Sequence, residues 1–232
     1  MDAQILKSYQ KATELNSGWF KAWSSWALMN YEVATRREDS SDSEISNDPE
    51  VVTYMARALE GFIQSIRCVE HNAAHNTLQD VLRVLTVWFR YGEHQDVSNV
   101  VQKRGQGPFA DVDVDTWLQV IPQIVARIDI PTEKVRQQIC DLLTRIGREH
   151  PQSLLFSLLV SEKADSGTRL SAAHKIMSEM KSKPVLNLIN DARLVSRELD
   201  RIAVLWNEEW HAGLEEACKA YFTNKDDGTM IA

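Results

Sequence analysis

The sequence is poor in the residues that interrupt helices and lacks the pattern that forms strands. It has nine glycines and six prolines among 232 residues, and almost no stretch alternates apolar and polar residues as a half-buried strand does. Apolar residues recur instead at spacings of three and four, which is typical of amphipathic helices. These features argue against a sheet protein and predict an all-α fold.

Cysteine is also scarce. Cys68, Cys140 and Cys218 are widely separated and form no CxxC pair, so we expect reduced thiols that pack as small apolar side chains. His71 and His75 are four residues apart and could share a metal ion, but no third ligand lies nearby. The sequence therefore predicts neither a disulfide nor a metal site.

Long apolar runs and an excess of basic charge are absent as well. Charged residues interrupt every apolar stretch well before the ~20 residues of a membrane span, and Met1 opens no signal peptide. The net charge of -7 argues against a general nucleic-acid surface, which needs clustered Lys and Arg. We expect a cytoplasmic or nuclear chain that binds no nucleic acid and does not cross a membrane.

Catalytic motifs are missing too. The chain contains no GxxxxGK[ST], HExxH or GxSxG, and no glycine-rich loop or DFG of a protein kinase. A small helical enzyme that uses Glu208, Glu209 and His211 is disfavoured, because these neighbours point in different directions around one helix. We therefore expect no catalytic residue and no cofactor within these 232 residues.

What the sequence does contain is organised around residues 114–160, where apolar residues recur at helical spacing in three blocks. Pro131 and Pro151 separate the blocks, and a proline suits the first turn of a helix. Pro122 should bend the first helix, and Gly147 stands where a helix commonly stops. Helices this short must be covered by neighbours, which predicts either a stacked array with HEAT-type repeats or an ordinary globular bundle.

Similar periodicity predicts helices elsewhere, over 2–15, 19–33, 51–69, 77–89, 94–103 and 168–180. A long amphipathic pattern runs from Pro184 to Phe222 and leaves open a break near Ser196. Residues 36–50 are acidic and rich in serine, and they carry too few apolar groups to order themselves, so we expect a mobile loop. Ser41 in that loop could accept phosphate, although a plain solvated linker is the simpler interpretation.

Large rings dominate packing energy, so we assign the tryptophans to the core. Three of them fall on one helical face at spacings of three and four near the start of the chain. The complete candidate aromatic core is Trp19, Trp23, Trp26, Trp88, Trp117, Trp206 and Trp210.

Four segments resemble the target of rapamycin (TOR) family of protein kinases: WFKAWSSWALMNYEV, LQDVLRVLTVWFRYG, DTWLQVIPQIVARID and ELDRIAVLWNEEWHAGLEEACKAYF. They occur in the family's order from Trp19 to Phe222. The resemblance implies the end of the FAT region, a HEAT/TPR-like solenoid of antiparallel helices, followed by the first helix of the FRB domain. On this basis residues 1–35 end the preceding repeats, 36–50 form the loop, 51–195 are FAT-type repeats and 196–232 begin the FRB domain.

The resemblance also implies a function. The segment would be non-catalytic, would clasp the kinase domain of the same chain and contact TOR complex subunits, and would lead into a domain that binds an immunophilin with rapamycin and recruits substrates. The parent protein would be a serine/threonine kinase that uses ATP and Mg in nutrient and growth signalling. The alternative is a free-standing helical-repeat adaptor without a kinase domain.

By the same resemblance, the family's ligand-contacting positions match Leu214, Cys218, Tyr221 and Phe222. These residues fall on one helical face and could present apolar surface to a ligand, or simply pack against further bundle helices. The family usually has serine at position 218, and a thiol is larger and a weaker hydrogen-bonding group. Because later FRB helices are lacking, we expect no working rapamycin site here, and exposed apolar surface around Trp206, Trp210 and Tyr221.

Overall fold

The structure is a computed structural model that describes residues 2–39, 48–69, 77–102, 107–164, 166–180, 183–203 and 206–224. Every regular element in these ranges is helical, so the predicted all-α class is confirmed. Successive helices pack mainly against their neighbours along the chain, as a stacked helical array requires. The chain divides into two compact units, Met1–Val185 and Leu186–Ala232.

The first half of unit 1 is a series of helices that cover one another's apolar faces. Their bounds are α1 Asp2–Leu15, α2 Phe20–Asp39, α3 Pro49–Val69, α4 Leu78–Tyr91 and α5 Gln95–Val101. The helix α3 has apolar residues on most of its inner surface and packs against α2, α4 and α5. Gly61 permits the close approach of α2, because a Cβ there would lie 2.8 Å from Cβ of Ala27.

The second half follows the three blocks of the central stretch. A 3-10 helix over Val114–Val120 leads into α6 Ile121–Val125, α7 Glu133–Glu149, α8 Pro151–Glu162 and α9 Gly167–Glu179. The stretch expected to be one helix is divided instead, because the 3-10 helix ends at Val120 and α6 begins at Ile121 with Pro122 in its first turn. Pro151 opens α8 as expected for a residue without an amide donor.

Aromatic packing joins the two halves of unit 1. The rings of Trp88 and Trp117 are fully buried and both contact Phe109, at centroid distances of 5.0 Å and 4.8 Å. Phe109 adopts a positive φ of 52°, which is unfavourable for a bulky residue. The guanidinium of Arg145 stabilises this turn by donating hydrogen bonds to the carbonyls of Phe109 and Val112 at 3.0 Å and 2.7 Å.

Two predicted boundaries are wrong. The loop expected over 36–50 does not include residues 36–39, because α2 continues through Asp39 and its Glu38 is held by Arg90 and Tyr91 of α4. It does not include residues 49 and 50 either, since α3 begins at Pro49. Ser41, His71 and His75 lie outside the described residues.

Gly147 does not end its helix, in contrast to the prediction. The helix α7 continues to Glu149, and a Cβ on Gly147 would lie 2.3 Å from Sδ of Met180. The glycine is therefore explained by the close approach of the chain after α9. Ser196 marks no break either, because α10 runs without interruption over Lys183–Ala203.

The tryptophans divide into buried and exposed groups. Trp26, Trp88 and Trp117 are buried, and Trp23 is partly buried with its ring 5.8 Å from that of Trp26. Trp19 is 49% exposed because it lies in the turn before α2. That ring is therefore not part of the core in the described chain, although the Trp19 carbonyl still accepts a hydrogen bond from the Trp23 amide of α2 at 3.3 Å.

Candidate functional site

The residues predicted for ligand contact lie on the last helical segment of unit 2. The helix α11 runs over Trp206–Lys219 and continues as one π-helical turn over Ala220–Asn224. Glu208 and Glu209 in its first turn and Lys219 in its last turn complement the helix macrodipole. The local sequence thus stabilises a helix whose apolar side remains available for other contacts.

An apolar stripe follows one side of α11. Trp210, Leu214 and Tyr221 are spaced by four and seven residues and fall within about 40° of one another around a regular helix. Each is roughly half exposed, at 54%, 54% and 46%. Trp210 is thus not buried in the described part of this chain, and both Trp210 and Tyr221 contribute exposed apolar surface. The side chain of Trp206 lies outside the described part.

The two aromatic residues at the end of the stripe contact each other. The rings of Tyr221 and Phe222 have centroids 4.9 Å apart and are nearly perpendicular, and Phe222 is 77% exposed. They lie in the π-helical turn, an irregularity that is frequent at functional sites. The edge-to-face rings together offer an aromatic surface to an apolar ligand.

Cys218 lies beside this stripe with an exposed thiol. Among the three cysteines, none of which is in a disulfide, it differs from buried Cys140 and partly buried Cys68. Burial raises the pKa of both the Cys68 and the Cys140 thiols, so these two are held as neutral packing groups. Cys218 is the cysteine of the three that a bound molecule could touch.

A shallow depression lies beside the stripe, with a volume of about 340 Å³ and a lining formed by Glu209, Trp210, Gly213 and Leu214. A Cβ on Gly213 would meet no atom within 4 Å, so the space beside the Trp210 and Leu214 side chains is open. The volume is at the lower end of the range for ligand pockets. One apolar group of a partner could fill it, and Glu209 supplies a carboxylate at its edge.

The geometry brings Leu214, Cys218, Tyr221 and Phe222 to one exposed segment without placing a catalytic group among them. In the described part of the chain, no group of three His, Cys, Asp or Glu side chains is arranged to hold a metal ion. None of the helices described is both long enough and apolar enough to span a bilayer. The arrangement suits apolar binding.

Sequence reasoning missed a second surface, a groove of about 590 Å³ between α4 and the turn after α6. Phe89 and Ile130 contribute apolar walls, while Arg90 and Arg127 contribute charge. Arg90 is already paired with Glu38 at 3.1 Å. Residues from both sides of the groove are separated by many positions, so periodicity within one helix could not have revealed it.

Three families of known proteins match successive parts of this chain. The FAT domain matches residues 2–86, the HEAT repeats described as serine/threonine-protein kinase ATR-like match 102–196, and the FKBP12-rapamycin binding domain matches 198–232. The last match contains α11 and every predicted ligand-contacting residue. It begins two residues after the boundary expected from the sequence.

Relatives from distant organisms match almost the whole chain. Serine/threonine-protein kinase tor1 of Schizosaccharomyces pombe is 42% identical over 98% of the chain, mTor of Drosophila melanogaster 37% over 95%, and TOR2 of Saccharomyces cerevisiae 35% over 98%. The chain spans only 9%, 9% and 10% of these proteins, respectively. The similarity therefore covers one continuous segment of much longer kinases.

Proposed function

We propose, since this chain belongs to the target of rapamycin family of serine/threonine protein kinases as a FAT and FRB segment, that its work is to bind and position other parts of the kinase. The segment itself is non-catalytic. In the intact protein it would support the kinase domain, which would use ATP and Mg, and would contact other subunits of a TOR complex. Control of growth by nutrients is the corresponding role of the whole protein.

The proposal assigns a separate task to each unit. In unit 1 the stacked helices, with fully buried Trp88 and Trp117, provide a rigid support. In unit 2 the exposed stripe of α11 would form part of the site for an immunophilin with rapamycin. The observation that carries this assignment is that Leu214, Cys218, Tyr221 and Phe222 are all exposed on the segment matched by the FKBP12-rapamycin binding domain.

Physical chemistry favours this stripe as a drug-dependent surface. Aromatic side chains at interfaces supply large contact areas at low entropic cost, and Phe222 has most of its surface available. Removing one well-buried interface anchor typically costs about 2 kcal/mol or more, which is over tenfold in affinity. We therefore expect Phe222 to contribute strongly to binding.

The test is capture of the chain, extended through a complete FRB domain, by an FKBP-type immunophilin with and without rapamycin. Wild type should be captured only with the drug, and Phe222→Ala should weaken capture by more than about tenfold. Glu216→Ala is the matched control, because Glu216 is exposed on the opposite side of α11, and it should bind as wild type does.

Cys218 allows a second arm of the same experiment. If the thiol hinders close approach of the drug, Cys218→Ser should bind more tightly than wild type, since serine is smaller and hydrogen-bonds better. Absence of drug-dependent capture for both wild type and Cys218→Ser would overturn the assignment of α11. Equal loss in Phe222→Ala and Glu216→Ala would also count against it, because the effect would then not depend on the apolar stripe.

A further inference from the structure

The turn over residues 107–112, called here the Phe109 turn, holds a large ring in an unfavourable backbone conformation. Phe109 is the one non-glycine residue of the described chain with a positive φ, at 52°, yet its side chain is only 3% exposed. A bulky residue at positive φ costs stability and persists only where its surroundings hold it in place. The contacts around Phe109 must therefore offset this cost.

Apolar packing is the first of these contacts. The ring of Phe109 lies between those of Trp88 in α4 and Trp117 in the 3-10 helix, at centroid distances of 5.0 Å and 4.8 Å. The Phe109 amide also donates a 3.0 Å hydrogen bond to the carbonyl of Val101 in α5. The turn thus contacts three helical elements at once, and its ring is the aromatic link between α4 and the 3-10 helix.

The second contact is the guanidinium of Arg145 in α7. It donates hydrogen bonds to the carbonyls of Phe109 and Val112 at 3.0 Å and 2.7 Å, and hydrogen bonds from a charged donor are stronger than neutral ones. The ion pair between Asp111 and Arg67 at 3.5 Å also tethers the turn, but both side chains are exposed to solvent, so it adds little. Arg145 is therefore the main polar contact that keeps the turn closed.

The closed turn leaves some groups poorly solvated. In the described part of the chain, Nε1 of Trp117 and Nε of Arg145 are buried donors without a hydrogen-bond partner, and such donors cost free energy. Burial also lowers the pKa of the Arg145 guanidinium, although the charges of Glu149 and Asp113 offset part of this fall. Opening the turn would return both donors to water and relieve the positive φ.

The helices around the turn are joined to one another without it. Trp88 of α4 is hydrogen-bonded to Gln138 of α7, which is hydrogen-bonded in turn to Ser98 of α5. None of these bonds involves residues 107–112, so they can persist when Phe109 leaves its position. Opening of the turn therefore does not require unfolding of these helices.

We propose that the Phe109 turn opens as a local unit, with its ring leaving the space between Trp88 and Trp117 while the surrounding helices stay folded, and that Arg145 holds it closed. The proposal concerns unit 1 and does not depend on binding at α11. An open turn would loosen the 3-10 helix from α4. The stacked helices would then have one adjustable joint between the two halves of unit 1.

Amide hydrogen exchange, resolved by residue with NMR, tests this in the wild-type chain. The turn over 126–130 is the matched control. Ile128 in it is fully buried, its amide donates to the carbonyl of Val125, and Arg169 donates to that same carbonyl, but its φ is not positive. The Phe109 amide should be protected at least about tenfold less than the Ile128 amide. Its exchange should also depend less on urea than that of α7 amides, because a local opening exposes little surface.

Substitution of Arg145 tests what holds the turn closed. Arg145→Met keeps the aliphatic stem and loses the hydrogen bonds, so it should lower the protection of the Phe109 amide at least about tenfold further. Arg145→Lys retains one charged donor group and should fall between wild type and Arg145→Met. The matched control is Arg148→Met, which removes an exposed arginine of the same helix and should change the protection of Phe109 by less than about twofold. Circular dichroism checks that each variant is folded.

Three results would overturn the proposal. If the Phe109 amide has the same protection and urea dependence as α7 amides, the turn opens only when the whole unit unfolds. If Phe109 is protected as well as Ile128, the positive φ does not favour opening. If Arg145→Met is folded and leaves Phe109 unchanged, Arg145 does not hold the turn closed. Should Arg145→Met fail to fold, Arg145→Lys and the wild-type comparison decide.

Discussion

The indole Nε1 of Trp88 donates a 2.8 Å hydrogen bond to Oε1 of Gln138 inside the core, where both side chains are completely buried. Gln138 in turn donates from Nε2 to Oγ of Ser98 at 3.3 Å. The three residues belong to α4, α5 and α7, so one polar chain fixes the relative positions of three helices. A buried polar chain of this kind specifies one arrangement because any other leaves donors unpaired.

Replacing Gln138 by leucine should destabilise unit 1 by roughly 1–3 kcal/mol. The leucine is apolar and similar in length, but the Trp88 N–H would be left buried without an acceptor, and that desolvation cost is not recovered. Urea unfolding followed by tryptophan fluorescence measures the change. Gln137→Leu is the control, because Gln137 is exposed at the preceding position of the same helix. Equal stability of the two variants would contradict the role given to the Trp88 hydrogen bond.

Gly61→Ala should separate α2 from α3. The new Cβ would lie 2.9 Å from Cε3 of Trp26 and 2.8 Å from Cβ of Ala27, and overpacking of this kind costs about 1–3 kcal/mol. Alanine regains up to ~1 kcal/mol of helix propensity, so a net loss of roughly 1–2 kcal/mol is expected in thermal or urea unfolding.

Gly167→Ala provides the comparison for Gly61→Ala. A Cβ at Gly167 would meet no atom within 4 Å, so this variant should be as stable as wild type or slightly more stable. If both variants lose stability equally, the close approach of α2 and α3 is not the reason for glycine at position 61.

Glu38 should make stability depend on pH. Burial raises the pKa of its carboxyl above the ordinary value, and the charge of Arg90 offsets part of this rise. The folded state then holds more protons than the unfolded state above the ordinary pKa. The contribution of Glu38 to stability is therefore complete at pH values below its ordinary pKa. It is lost as the pH rises through the pKa that Glu38 has in the folded state.

The variant Glu38→Gln isolates this effect, since an amide still accepts the Tyr91 hydroxyl hydrogen bond but does not titrate. Wild type should lose stability relative to Glu38→Gln as the pH is raised from about 4 to 7. Urea unfolding of both proteins at several pH values gives the difference. The raised pKa of Glu38 would be refuted if the difference in unfolding free energy between the two proteins stayed constant with pH, or if wild type became relatively more stable as the pH rose.

Helical periodicity predicted most of the helices well, because it depends only on residues that are close in sequence and share one face of a helix. The helix from Asp2 to Leu15 has the bounds expected from the sequence, and proline at 151 opens a helix as its missing amide requires. Ring burial at Trp88 and Trp117 also follows from the density of apolar neighbours. These features depend on residues close in sequence.

The differences arise where a residue's neighbours come from elsewhere in the chain. Gly147 has the local features of a helix end, but the contact that explains it is with Met180. Trp19 has the local features of a core residue, and its 49% exposure is seen only in the structure. The four candidate binding residues could be placed on one helix from the sequence, and exposed apolar surface around Tyr221 was expected, whereas the edge-to-face contact of Tyr221 with Phe222 could not be predicted.

The most direct test of the central claim, that α11 is a binding surface in a non-catalytic segment, is amide hydrogen exchange. The chain extended through a complete FRB domain would be measured alone and with an FKBP-type immunophilin plus rapamycin. We expect drug-dependent protection centred on residues 206–224, with little change in α7 and α8. Protection confined to unit 1, or no protection in α11 when a drug-dependent complex has formed, would contradict the account.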